Sequence, residues 1–211
     1  MRRQPALLPA LLAVLAVAWA AAGCGTFATD RVEKIADIRG PWRPEPLVID
    51  QATIAAAEEA CQDARAIRDP ALAPVDRLVA VDARGSGRLT LIFAGAGAAF
   101  MECELRMDTQ GDLSMAGGSV QGGGGPVVFL DQDDVVIVAA GGMIGAGDGS
   151  SVVYGRIGQA VAAVRVVFAS GTVVRASIGG GWFTAWWPTD EMGLVVEAYD
   201  ATGRKIGEVE R

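Results

Sequence analysis

The sequence predicts a mainly β chain, an antiparallel β-sandwich or meander with one N-terminal amphipathic helix docked on the sheet. Three observations carry that expectation. After Pro74 the chain breaks into short runs rich in Val, Ile, Thr and aromatic residues, separated by turn chemistry. One segment before Pro74 shows helical spacing of its small and apolar residues. Strands at this spacing, with connections too short for crossover helices, form antiparallel rather than parallel sheets.

The elements follow in chain order. Arg2 and Arg3 precede an apolar stretch from Ala6 to Ala22, and Ala21-Ala22-Gly23-Cys24 closes it. Charge, apolar run and small residues in that order describe a signal peptide, placing residues 1–23 outside the mature fold. Two other readings stay open: ordinary cleavage after Ala20 or Ala22 with secretion, and retention of the segment as an uncleaved anchor. Residues 24–49 read as a tether, kept extended by Pro41, Pro44 and Pro46, with Trp42 placed to fold back onto the domain. Residues 50–211 read as a single extracytoplasmic β-rich domain.

Asp50 is a suitable N-cap for a helix over 51–67, with Ile54, Ala57, Cys61 and Ala64 on one face and Asp69-Pro70 beyond its end. Strands are expected at 77–83, 88–94, 98–107, 127–130, 135–139, 151–157, 161–169, 172–178, 182–187, 194–199 and 205–209. Asp82-Ala83-Arg84-Gly85, Asp108-Thr109-Gln110-Gly111 and Asp200-Ala201-Thr202-Gly203 share a turn signature: Asp can bond the backbone ahead of it, and Gly can take positive φ. Ser170-Gly171 marks a tight hairpin. The Gly-rich stretches 117–125 and 141–149 lack a phosphate-loop pattern and read as surface loops.

Composition narrows the function. Among 211 residues there is no His, which removes His-based nucleophile systems, His-ligated zinc and histidine pH switches. Net charge is −7, and loss of Arg2 and Arg3 with the signal takes it to −9, so no nucleic-acid partner is expected. Nothing in the sequence asks for a cofactor, and none is expected.

The three Cys divide into one and two. Alternation over 98–107 puts Met101, Cys103, Leu105 and Met107 on one face, with Glu102, Glu104 and Arg106 on the other. Cys103 and Cys61 thus both point inward, and in an exported protein they are expected to form a disulfide; two buried free thiols are the alternative.

Trp182 and Trp186 should face one side of their strand, and Phe183 and Trp187 the other. The plain expectation is a strand covered on both sides. The functional one is an exposed platform built from Trp182, Trp186 or Trp187 for a glycan or an envelope protein. Asp131, Asp133 and Asp134 form a weak Ca²⁺ candidate that reads better as a solvated turn, with no metal expected overall. A hydrolase would need two carboxylates facing across a cleft beside the Trp cluster, and Asp190-Glu191 follows that cluster.

Two resemblances add to this reading. Ala21-Ala22-Gly23-Cys24 resembles the lipobox of bacterial lipoproteins, although that family favours Leu where this chain has Ala21. The likeness implies a lipid-modified Cys24, with membrane lipid as the first partner and the outer side of the cell membrane as the location. Val81-Asp82-Ala83-Arg84-Gly85 with Cys103 downstream, and the run Gly180 to Pro188 with Ala198 to Arg204, are similar to segments of uncharacterised exported or membrane-anchored actinobacterial proteins. That likeness implies a shared β-rich ectodomain and no catalytic residues. The whole supports a non-catalytic binding, sensory or structural envelope module, with a carbohydrate-active hydrolase as the alternative.

Overall fold

A computed structural model describes residues 38–68, 77–95, 99–121, 130–142, 149–192 and 194–211. The signal segment, Cys24 and the strand expected at 127–130 therefore lie outside the described residues, except for Leu130, which is not in a strand.

Helix α1 spans Gln51–Arg68. Its cap is the expected one: the Asp50 carboxylate accepts the Thr53 N–H at 2.9 Å and the Thr53 hydroxyl at 3.0 Å. The Thr53 amide bond, first among several, holds the Asp50 carboxyl below its usual range. Among the described residues twelve strands follow: β1 Arg77–Ala83, β2 Arg88–Ala94, β3 Phe100–Met107, β4 Leu113–Gln121, β5 Val135–Gly142, β6 Ser151–Ile157, β7 Ala163–Phe168, β8 Val173–Arg175, β9 Ser177–Gly179, β10 Trp182–Trp187, β11 Leu194–Tyr199 and β12 Lys205–Glu210. All described pairings are antiparallel.

They make three four-stranded sheets: a helix-side sheet in order β1-β2-β3-β4, a central sheet in order β5-β6-β10-β9, and an outer sheet in order β12-β11-β7-β8. Each interface has its own apolar cluster. Ala57 and Cys61 of α1 pack on Leu89, Leu91, Phe93, Met101 and Leu105. Ile92, Ala94 and Phe100 meet Val152, Tyr154, Trp182 and Trp186 between the helix-side and central sheets. Val153, Phe183, Ala185 and Trp187 meet Val164, Val166, Phe168, Leu194 and Val196 between the central and outer sheets. Helix and sheets are therefore stacked four layers deep, and period-2 alternation sorts each strand of the two inner sheets between two interiors. The Cys61–Cys103 disulfide bonds the helix to the sheet beneath it.

Several expectations change. Residues 113–121 form a strand, so Gly117 and Gly118 lie in β4 and not in a surface loop. The bulge between Glu104 and Leu105 absorbs an extra β4 residue there. Gly141 and Gly142 likewise close β5. The single strand expected at 172–178 is two: β8 pairs with β7 in the outer sheet, β9 pairs with β10 in the central sheet, and Ala176 turns the corner between them.

Residues 38–49, expected as part of a tether, are bound to the domain. From Ile38 onward the chain is a strap bonded to the domain, with Gly87 N–H to Ile38 C=O, Arg43 N–H to Arg84 C=O, Leu47 N–H to Ala83 C=O and Arg175 N–H to Pro44 C=O. Gly85 lets the strap lie this close. Its φ is +97°, and a Cβ there would come 2.3 Å from the Pro41 carbonyl oxygen.

Candidate functional site

The densest polar constellation lies inside the molecule, between the helix-side and central sheets. It arises because the second face of β2 and β3, the one carrying Arg88, Thr90, Glu102 and Glu104, meets the central sheet and not solvent. The alternation read from the sequence is correct. That second face is covered by β6 and β10.

Three groups of side chains occupy the layer. The first is centred on Asp82. Its carboxylate accepts Arg84 Nε–H at 2.8 Å, the Ser177 hydroxyl at 2.6 Å and the Trp186 backbone N–H at 3.3 Å. Arg84 is fully buried and also donates to the carbonyls of Pro44 and Arg175. This pair joins the strap, β1, β8, β9 and β10. The Asp82-Ala83-Arg84-Gly85 turn thus departs from its two look-alikes. Asp108 accepts the N–H groups of Gln110 and Asp112, and Asp200 accepts those of Thr202 and Arg204, as Asx turns do. The side chain of Asp82 instead reaches across the interior.

The second group pairs Arg88 with Glu104 at 3.6 Å and with the Ser150 hydroxyl, and sets the guanidinium 5.4 Å from the centre of the Trp186 ring. The third group is Glu102, Ser119 and Tyr154. Ser119 Oγ donates to Glu102 Oε2 at 3.2 Å and lies 3.1 Å from Tyr154 Oη. Burial pushes the Glu102 carboxyl up to about 7, the Ser119 hydroxyl pulls it down, and the charge of Glu104 adds to the rise. Burial also raises the Tyr154 phenol. Thr90 Oγ1, Thr184 Oγ1 and Trp186 Nε1 are buried in the same layer without a hydrogen-bond partner.

Glu102 and Glu104 thus form an unequal carboxyl pair, one raised to about 7 chiefly by burial and one paired to Arg88. Such inequality is what acid–base catalysis uses. Access is what it lacks: Glu102 is 8% exposed and Glu104 1%.

The expected platform of indoles is corrected on the same ground. Trp182, Trp186 and Trp187 are 7%, 1% and 3% exposed, because β10 is covered by a sheet on each face. Phe100 stacks near Trp182 with centroids 5.4 Å apart, Trp42 of the strap packs edge-on to Trp186 at 6.4 Å, and Phe168 meets Trp187 at 4.9 Å. The Trp187 indole N–H bonds the Glu191 carbonyl and the Trp42 indole N–H bonds the Trp186 carbonyl. The Glu191 carboxylate accepts the Ser170 N–H of the β7–β8 hairpin. The turn that carries Asp131, Asp133 and Asp134 is closed by its own bonds, with Asp134 N–H donating to the Asp131 carbonyl. Asp134 Oδ2 accepts the Asp131 N–H at 2.7 Å, and among the described residues no three acidic or Cys side chains converge as a metal site.

Sequence reasoning missed Asp82, Arg84, Arg88, Glu104, Ser119 and Tyr154 as interior groups. A signal was present in β2, where Leu91-Ile92-Phe93-Ala94 runs apolar on both faces, as strands covered on two sides do. Among the described residues no helix is long and apolar enough to cross a membrane. No known protein family, no curated protein and no solved structure matches the chain.

Proposed function

We propose that the chain is a non-catalytic cell-envelope module, held by lipid on Cys24 at the outer side of the membrane and binding an envelope protein or glycan. The observation that best supports this is the Cys61–Cys103 disulfide, since such bonds persist in oxidising compartments outside the cytoplasm. It agrees with the export pattern of residues 1–24 and the lipobox-like position of Cys24. Secretion of an unlipidated form is the alternative.

The strap sharpens the geometry of attachment. With Ile38 fixed on the domain, only residues 25–37 separate it from Cys24. Even fully extended they reach about 45 Å. The domain is thereby kept close to the bilayer, and the outer sheet offers a solvent-facing polar surface for a partner. There Lys205 pairs with Glu197 and Glu208, and Arg165 lies over Tyr199.

Changing Cys24 to Ser tests the anchor. The full-length variant is expected to move from the membrane fraction to the soluble extracytoplasmic fraction, because a diacyl group supplies most of the membrane affinity. Unchanged partitioning would falsify the lipid attachment. Crosslinking of the tagged protein in intact cells, read by mass spectrometry, then identifies the partner.

A further inference from the structure

We propose that the seam between the helix-side and central sheets is a pH-responsive joint, in which ionisation of Glu102 loosens the contact of β3 and β4 with β6. The geometry that carries this is the contrast between two carboxylates on one face of one strand. Glu104 is set against Arg88, whereas Glu102, two residues away, meets the hydroxyl of Ser119 and through it the phenol of Tyr154. Those three residues come from β3, β4 and β6, so the chain of hydrogen bonds runs from one sheet to the other.

The charged and titratable groups sharing the layer are few. β1 contributes Asp82, which is committed to Arg84, and β2 contributes Arg88, which is committed to Glu104 and Ser150. β3 adds Glu104 itself and Arg106. β6 adds Tyr154 and Arg156, while the facing residues of β10 are Trp182, Thr184 and Trp186. Among the described residues no cation lies in ion-pair contact with Glu102. An ionised carboxylate at that position has the hydroxyl and backbone N–H of Ser119 to bond, and a like charge beside it in a water-poor layer. A protonated one fits without that penalty.

The sign follows from linkage. The carboxyl is held at about 7 in the closed seam against an ordinary 4.5, chiefly by burial. The closed seam therefore keeps a proton that the opened seam releases. Its stability is full below about pH 4.5, falls as pH rises through about 7, and is level above that.

Amide hydrogen exchange of β3, β4 and β6, corrected for intrinsic exchange, reads the joint directly. Protection factors in the full protein are expected to fall by roughly two orders of magnitude between pH 4.5 and 8. In Glu102→Gln, which keeps shape and removes the titration, they should stay level. An equal fall in that variant overturns the proposal. Should the Gln variant fail to fold, carboxyl-carbon NMR of the unaltered protein decides the matter. A Glu102 midpoint near 7 that climbs in Ser119→Ala supports the joint, because the hydroxyl stabilises the ionised form. A midpoint near 4.5, or one that Ser119→Ala leaves in place, refutes it.

Discussion

The two faces of β10 look into two different interiors. Towards the outer sheet, Phe183, Ala185 and Trp187 meet Val164, Val166, Phe168 and Leu194 in an apolar contact. Towards the helix-side sheet, Trp182, Thr184 and Trp186 meet a layer that also holds Asp82, Arg84, Arg88, Glu102 and Glu104. Apolar burial is non-directional and makes the sheets stack without choosing one arrangement sharply. The bonds of Asp82 and Arg84 are directional, and each ends on a different element. The dry face supplies adhesion, and the polar face fixes how strap, sheets and corner strands sit together. On the polar face Thr90 Oγ1, Thr184 Oγ1 and Trp186 Nε1 go without a hydrogen-bond partner, against Ser151 Oγ on the other side, so its stability is more sensitive to conditions.

The sharpest way to break this comparison is to unpair the buried ion pair. Asp82→Ala leaves the Arg84 guanidinium inside with no carboxylate, and loss of one partner of such a pair destabilises by about 3–5 kcal/mol. Urea unfolding measures this. A loss under about 1 kcal/mol would show that Asp82 is not the hub of the layer, since unpairing a buried charge should exceed a surface effect.

The matching cut on the dry side is Leu194→Ala. Leu194 is fully buried among Phe168, Val164 and Trp187. Truncation there should destabilise by about 3 kcal/mol through lost burial and a residual cavity. Because the cluster around Leu194 is apolar among the described residues, the loss is expected to be the same at pH 5 and pH 8. A loss that changes with pH would mean the two interiors are not separate in the way described. Gly155 shows how tight the dry face is, since a Cβ there would lie 2.5 Å from the Phe183 ring.

Much of the architecture was legible from local chemistry. The Asp50 cap, the period of α1, most strand positions and the inward aim of Cys61 and Cys103 all follow from patterns a few residues long. What could not be read was which of two faces meets solvent. Alternation in β3 separates Met101 and Cys103 from Glu102 and Glu104 but does not report that a second sheet covers the charged face. The same limit explains Asp82. Its Asp-x-x-Gly pattern equals that of Asp108 and Asp200, and only a partner 95 residues away, Ser177, makes its role different. The glycines of β4 misled for the opposite reason, because a Gly pair reads as a loop unless the facing strand is known.

The outer face of the outer sheet gives the smallest effect and closes the comparison from outside. Arg165 stacks over Tyr199 with its guanidinium carbon 4.6 Å from the ring centre, and Tyr199 Oη donates to Glu197 at 2.5 Å. These contacts resemble those of Arg88 with Trp186 and Glu104, but they sit in water. Solvent competes for every charge, so Arg165→Ala should lower stability by about 0.5–1 kcal/mol at most. Arg88→Ala, with the same chemistry inside the polar layer, should lose several times more, which a paired urea titration would measure. Equal losses at the two sites would mean that desolvation contributes nothing to the polar layer, and the contrast between the two faces of the central sheet would fall with it.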